Sequence, residues 1–274
     1  MFTGSPRLLI RALPWALLVV LVKWLADVLD LQLLELNPLL TGAIASEVFV
    51  IGFLLNGTSA DFKEAERLPG ELASSMETIA DECLIIREEL QLPEAEMCLA
   101  DLLALGRSIQ AWLSHDRGFD EVMHDIRALN GYYMVFAPKI QAGFTTRLKS
   151  EQAAIRKTVL RMDTMRRTSY VSAGYLIAEV IAALLGVILV LTDLGAIMPA
   201  LALVGLVSYL VIYMLALIRD LDNPYEYPGG QPGAADVSLD VLQRHEERLK
   251  LLMVEGRDEI AGMPDQSPPV PEAQ

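Results

Sequence analysis

One face of an apolar segment combines residue types that suit a narrow passage through a membrane. Small, aromatic and amide side chains follow one another there at i, i+4, i+7, i+11 and i+14: Gly42, Ser46, Phe49, Phe53 and Asn56. This heptad-like spacing places them on one side of a helix. If several copies of the helix surround an axis, the two phenyl rings form an apolar constriction and Asn56 rings one mouth. The alternative is a packing seam inside one group of helices.

Charged residues interrupt the apolar stretches, and those singled out as functional candidates are Lys23, which shares the first stretch with Asp27 and Asp30, Glu47 in the second and Glu179 in the third. An ionised carboxylate near the middle of a bilayer costs about 2.5–3.5 kcal/mol even on the most lenient scale, so such groups face protein or water. Lys23 is a candidate partner for either carboxylate, and the three form either a neutralising trio or an ion site. An ion site would indicate a proton- or ion-coupled transporter, although the sequence shows no inverted repeat.

Patterns typical of enzymes and of metal or nucleic-acid binding are missing from the sequence. It has no glycine-rich phosphate loop, nucleophile elbow or paired-histidine helix, and we expect no catalytic residue, metal site or other cofactor. The three histidines, His115, His124 and His245, lie among charged residues, which predicts solvated surface positions. Cys83 and Cys98 have no zinc spacing and are expected to be free thiols. A net charge of −14 argues against nucleic acid as a partner.

Composition places the elements that carry these residues in a bilayer. Of 274 residues, 53% are apolar, and the mean hydropathy is +0.37. Four apolar stretches each approach the 17–25 residues that a hydrocarbon core about 30 Å thick requires of a helix. They are residues 12–34, 39–55, 171–191 and 197–218. We therefore expect an all-α integral membrane protein with four transmembrane helices in two hairpins.

The positions of the basic residues predict the orientation of these helices. Of the 22 Lys and Arg residues, all except Lys23 lie before the first span, between the second and third, or after the fourth. The hairpin tips, residues 27–38 and 192–198, contain none. Because basic residues concentrate in cytoplasmic segments, we expect both termini and the central insert to be cytoplasmic.

The segments outside the spans are predicted to be helical. In the insert, a core stripe of Leu72, Met76, Ile79, Cys83 and Ile86 follows a helix break expected at Pro69-Gly70. The predicted domains are a first transmembrane hairpin (1–57), a cytoplasmic helical domain (58–168), a second hairpin (169–219) and an acidic cytoplasmic tail (220–274). The tail has a linker at 228–233, one amphipathic helix at 238–254 and a Pro-rich end at 263–274 that we expect to be disordered.

Two short stretches carry a family resemblance. The second span continues through Gly52-Phe53-Leu54-Leu55-Asn56-Gly57 into a charged helix that extends to Leu72, and the last span is followed by Asp222-Asn223-Pro224-Tyr225-Glu226. With the layout of two spans, a helical insert and two more spans, residues 1–227 resemble the bestrophin-like bacterial membrane proteins.

The resemblance implies an oligomeric channel of the bacterial inner membrane. By analogy with authentic bestrophins, it would be a homo-oligomer, expected as a pentamer, that conducts an inorganic anion such as chloride, with Phe49 and Phe53 at the constriction of the pore. Asp222, Asn223, Pro224 and Tyr225 would form the turn after the membrane. The family's dense acidic run, which binds calcium, is reduced here to Asp220, Asp222 and Glu226, and its tryptophan pair after the second span is replaced by residues 60–66.

An alternative function comes from the size of the extramembrane segments. About 110 residues of insert and about 55 of tail exceed what a bare pore needs. The tail helix carries an apolar stripe of Leu239, Leu242 and Leu249 that could occupy a groove of another protein. This pattern favours a non-conducting membrane scaffold or sensor, unless the stripe packs against its own domain or a neighbouring subunit.

Overall fold

The computed structural model describes residues 6–167, 172–225, 227 and 236–262, and eight helices make up most of this part of the chain. They are α1 (Pro6–Val28), α2 (Pro38–Leu90), α3 (Pro93–Leu113), α4 (Phe119–Phe136), α5 (Ala142–Arg167), α6 (Ser172–Leu191), α7 (Ile197–Leu221) and α8 (Asp240–Gly262). Two two-residue strands, β1 (Leu34–Glu35) and β2 (Thr192–Asp193), pair in parallel. The predicted all-α fold is confirmed.

The chain divides into two compact units. The first contains residues 1–67 and 162–237, and the second contains residues 68–161 and 238–274. Helices α2 and α5 contribute residues to both units.

The first unit contains the membrane-spanning segments. Four helices are long and apolar enough to cross a bilayer, in Leu8–Val28, Pro38–Leu90, Gly174–Leu191 and Ile197–Leu221. Helix α1 lies against α7 and α6. A Cβ atom at Gly205 of α7 would approach Val20 Cγ2 of α1 to 2.9 Å, so glycine permits this close helix contact. The four predicted spans are confirmed as apolar helices.

Within the first unit, the two hairpin tips lie at the same end. Leu34 pairs with Thr192 and Glu35 with Asp193, and the amide of Leu33 donates to the carbonyl of Leu191 at 3.0 Å. These bonds supply backbone partners where the helices stop, which matters because an unpaired backbone group is costly in an apolar environment.

The break expected at Pro69-Gly70 is wrong. Helix α2 continues without a break through Pro69 and is 53 residues long in total. Proline lacks an amide hydrogen, so the carbonyl four residues earlier, that of Ala65, loses its usual helical donor. The hydroxyl of Tyr225 takes that place and donates to Ala65 O at 2.8 Å.

The second unit has a well-buried apolar core. The stripe predicted on α2 is confirmed, because Leu72, Met76, Ile79, Cys83 and Ile86 are all buried. Met76 lies against α3, where a Cβ atom at Gly106 would come within 3.2 Å of Met76 Cε, and α3 in turn contacts α4. The thiols of Cys83 and Cys98 are free and buried in this unit.

The tail helix α8 belongs to the second unit, where it packs against α3. Its predicted apolar stripe, Leu239, Leu242 and Leu249, is buried. Arg107 of α3 also forms an ion pair with Glu246 of α8 at 2.8 Å. The stripe therefore packs inside its own domain, and the scaffold alternative loses its proposed docking surface.

His245 of α8 is buried, which contradicts the predicted solvated position, whereas His115 and His124 are exposed as expected. Burial lowers the pKa of the His245 imidazole, against an opposing effect of Glu77, whose carboxylate lies 3.5 Å from Nδ1. Arg248 pairs with the same carboxylate at 2.9 Å and adds to the lowering. The imidazole is therefore neutral near pH 7.

Several predictions fall outside the described residues. They concern Val171 at the start of the third span, Glu226 of the post-membrane motif, the linker at 228–233 and the Pro-rich end at 263–274.

Candidate functional site

The five residues of the α2 seam share one exposed face. Gly42, Ser46, Phe49, Phe53 and Asn56 are all exposed, and the two phenylalanines have 74% and 70% of their surface accessible. The Ser46 hydroxyl donates to the carbonyl of Gly42 at 2.8 Å, so it is satisfied within its own helix. The seam is therefore not buried within the four-helix unit of its own chain.

The opposite face of α2 packs into the first unit. Glu47, Ile51 and Thr58 are buried there. Ile51 forms an apolar cluster with Ala178 of α6 and with Leu215 of α7. These contacts fix the rotation of α2 about its axis, and that rotation is what turns the two phenylalanine rings away from the unit.

Lys23, a candidate partner for either carboxylate, pairs with neither Glu47 nor Glu179. Its ammonium contacts Asp27 Oδ1 at 2.6 Å and donates to the carbonyl of Thr192 at 2.7 Å. Lys23 is fully buried, and the cluster links α1 to the α6–α7 tip. The spacing of Lys23 and Asp27, one helical turn apart, was a signal that could have identified the pair.

Glu179 pairs with a base that the sequence reasoning did not assign to it. Arg219 Nη2 lies 3.4 Å from Glu179 Oε1, and the guanidinium sits over the ring of Tyr175, 5.0 Å from its centroid. The Tyr175 hydroxyl donates to the carbonyl of Leu215 at 3.3 Å. This cluster joins α6 to α7 by an ion pair and a cation–π contact. No neutralising trio of Lys23, Glu47 and Glu179 exists.

Glu47 is the exception among Lys23, Glu47 and Glu179. Only 3% of its surface is exposed, and neither carboxylate oxygen has a hydrogen-bond partner among the residues that the structure describes. Glu47 and Glu179 both border a cavity of about 690 Å³ between α1, α2, α6 and α7.

The described part of the post-membrane motif forms a turn in which Pro224 and Tyr225 are buried. Asp222 caps α7 through its amide, which donates to the carbonyl of Ile218 at 3.0 Å. The carbonyl of Pro224 accepts from the amide of Val237 at 2.8 Å. Asn223 lies half-buried between them.

Tyr225 gives this turn a role in supporting α2. Burial raises the pKa of its hydroxyl, so the group stays protonated and can donate to Ala65 at any physiological pH. Since Pro69 leaves that carbonyl free, the motif after the last span supplies the bond that α2 lacks where it extends beyond its apolar segment.

Among the residues that the structure describes, no three His, Cys, Asp or Glu side chains lie close enough together to hold a metal ion. This part of the chain therefore offers no candidate metal site. Asp220 at the end of α7 and Asp222 just after it belong to no such group among the described residues.

Comparison with known proteins identifies the fold. The sequence matches no protein-family model, and no curated protein matches it. Solved structures do match. Two variants of a bacterial bestrophin homolog from Klebsiella pneumoniae align with TM-scores of 0.72 and 0.69 at 12% and 14% identity, covering 91% and 89% of this chain and 98% and 97% of theirs.

A third structure, described as a membrane protein, aligns with a TM-score of 0.72 at 14% identity over 90% of this chain and 98% of that chain. The chain therefore has the bestrophin fold, and it is a membrane protein of that architecture.

Proposed function

We propose that this protein is an oligomeric ion channel of a bacterial inner membrane and that α2 lines its pore. The observation that carries the proposal is the outward seam of α2, where Gly42, Ser46, Phe49, Phe53 and Asn56 are all exposed. The bestrophin fold supports the same function.

The composition of the seam suits a pore better than a lipid-facing surface. An amide such as that of Asn56 is poorly accommodated by hydrocarbon but well accommodated by water or by another subunit. Phe49 and Phe53 would form two apolar rings around an axis, through which water passes only when the rings move apart. A ring of identical subunits, expected as a pentamer, brings these faces together.

The permeant ion is proposed to be a small inorganic anion such as chloride. None of the five seam side chains carries a charge, so no ring of carboxylates would attract cations along this path. The edge of a phenyl ring is partially positive, and Phe49 and Phe53 would suit an anion if they turn their edges to the axis.

Conduction is tested with the purified full-length protein in planar bilayers. Phe53→Ala should raise the conductance severalfold, because removing one apolar ring lowers the barrier to wetting. The matched control is Leu206→Ala on α7, where an equally exposed apolar side chain is shortened away from the seam. Absence of current above protein-free membranes, or an equal response of the two variants, contradicts the proposal.

Selectivity is tested in the same bilayers with a KCl gradient. Anion conduction predicts a reversal potential displaced toward the equilibrium potential of chloride. Displacement toward the equilibrium potential of potassium would mean that the protein is a channel but conducts cations, which would contradict the proposed anion selectivity.

We also propose that both termini and the second unit are cytoplasmic. The proposal rests on the basic flanks, which include Arg166 and Arg167 at the end of α5, and on hairpin tips without any basic residue. Fusions at the C-terminus test it. A fluorescent protein that matures in the cytoplasm should be bright there, and an alkaline phosphatase that needs the periplasm should be inactive. The reverse result overturns the orientation.

A further inference from the structure

The first unit contains a cavity among its four apolar helices. Its volume is about 690 Å³, within the range of about 300–1,000 Å³ typical of small-molecule sites. The wall is almost entirely apolar, with residues such as Val22 of α1, Ile44 of α2 and Val211 of α7. Because it lies among membrane-spanning helices, a molecule dissolved in the bilayer is the kind of ligand that can reach it.

Glu47 is one of the residues that line this cavity, and its carboxylate has no hydrogen-bond partner within the described chain. Glu47 is 97% removed from solvent, given its exposed fraction of 3%, and both of its oxygens are unpaired. The other two charged candidates, Lys23 and Glu179, are compensated by Asp27 and by Arg219 respectively. Glu47 is thus the one uncompensated group of the three.

An uncompensated carboxylate needs a specific complement. In its ionised form it lacks a cation and hydrogen-bond donors, and in its protonated form it lacks an acceptor for its own hydrogen. An ammonium group supplies both a positive charge and up to three donors. The apolar wall around it complements an aliphatic chain.

We propose that this cavity binds a small lipophilic amine, with its ammonium group on Glu47 and its hydrocarbon chain among the apolar side chains of α1, α6 and α7. Binding is independent of whether the protein conducts ions, because the cavity lies within one subunit on the face of α2 opposite the seam.

The test uses full-length protein in lipid nanodiscs and two photoreactive probes of equal chain length, a diazirine-bearing octylamine and the corresponding octanol. Labelled peptides are identified by mass spectrometry. The amine should label the cavity-lining segments saturably, and unlabelled octylamine should compete. Glu47→Gln removes the charge with little change of shape and should weaken this labelling at least about tenfold, the loss expected of about 1.4 kcal/mol.

Two further variants separate the site from general effects. Gly186→Leu should also abolish amine labelling, because Gly186 lines the cavity and a Cβ there meets no atom within 4 Å. Glu35→Gln, the same change at an exposed position of β1, should leave labelling intact.

Equal labelling by amine and alcohol, or amine labelling that Glu47→Gln does not weaken, would overturn the proposal and identify the occupant as a neutral lipid chain. Absence of saturable labelling would overturn it as well. If Glu47→Gln does not assemble, judged by its elution from size-exclusion chromatography, the comparison of the two probes and the Gly186→Leu variant still decide.

Discussion

The two units differ in whether their large aliphatic side chains are exposed or buried. In the first unit, large aliphatic side chains such as Leu184 and Leu206 are exposed, and the apolar windows of the four spans are only 17–22% buried. In the second unit, Leu72, Leu99 and Leu102 are fully buried. A leucine side chain can stay exposed at little cost where the surrounding solvent is hydrocarbon. Where the solvent is water, burying the same side chain is favourable.

The contrast shows where each unit obtains its stability. Lipid removes most of the hydrophobic gain from packing apolar helices together, so the first unit depends on close contacts such as that of Gly205 and on a few polar links. The clusters around Lys23 and around Arg219 are links of this kind. The second unit depends on burial of its core.

The largest effect is expected from Lys23→Met. The substitution leaves the buried carboxylate of Asp27 and the carbonyl of Thr192 without their cation and donor. Breaking a buried pair in this way costs about 3–5 kcal/mol, which unfolding in mixed micelles titrated with SDS should detect. The double variant Lys23→Met/Asp27→Leu should recover much of the loss. If the single variant were as stable as the wild type, the Lys23–Asp27 pair would not contribute to stability.

The next effect compares a leucine of each unit. Leu102→Ala should destabilise the full chain by about 2–5 kcal/mol, because it opens a cavity in the core of the second unit. Leu206→Ala removes the same atoms from an exposed position of the first unit and should stay within about 0.5 kcal/mol. Thermal unfolding in nanodiscs measures both. Equal losses would mean that Leu206 is buried in the assembled protein and would weaken the comparison.

A smaller effect is expected from Tyr225→Phe, which leaves the carbonyl of Ala65 unsatisfied at a cost of about 1–3 kcal/mol. The decisive control is a double-mutant cycle with Pro69→Ala. Alanine restores an amide donor for Ala65, so Tyr225→Phe should cost much less in that background. If the cost is the same in both backgrounds, the hydroxyl does not substitute for the missing amide.

The smallest effect concerns pH. The pKa of His245 is lowered in the folded state, so the unfolded chain binds more protons and stability rises with pH through this group. The contribution is present above the ordinary histidine pKa of about 6.5 and is lost as the pH falls below it. Wild type should therefore lose more stability than His245→Gln between pH 7 and pH 5.5, measured by thermal unfolding. A greater loss in the variant would reverse the sign.

The sequence was sufficient for the parts of the fold that depend on local composition. Hydropathy and length alone predicted four apolar helices, and helical periodicity predicted the buried stripe from Leu72 to Ile86. The α2 seam was also predictable as one helical face, and the structure shows that this face is exposed. Its role in lining a pore stays a prediction.

Features that depend on distant residues could not be predicted in this way. The continuity of α2 past Pro69 depends on Tyr225, 160 residues after the carbonyl it satisfies. His245 was expected in solvent because its neighbours are charged, but packing of α8 against α3 buries it. The isolation of Glu47 was not predicted either, because its candidate partner Lys23 is also held by the carbonyl of Thr192, 169 residues away along the chain.

The symmetry of the assembled particle tests the central claim most directly. Electron cryomicroscopy of the detergent-solubilised protein should show a closed ring, expected as a pentamer, with Phe49 and Phe53 of every subunit facing the axis. Monomers would contradict the account, because a single four-helix unit has no path between copies of α2. A ring in which the α2 seam faces the detergent would contradict it equally.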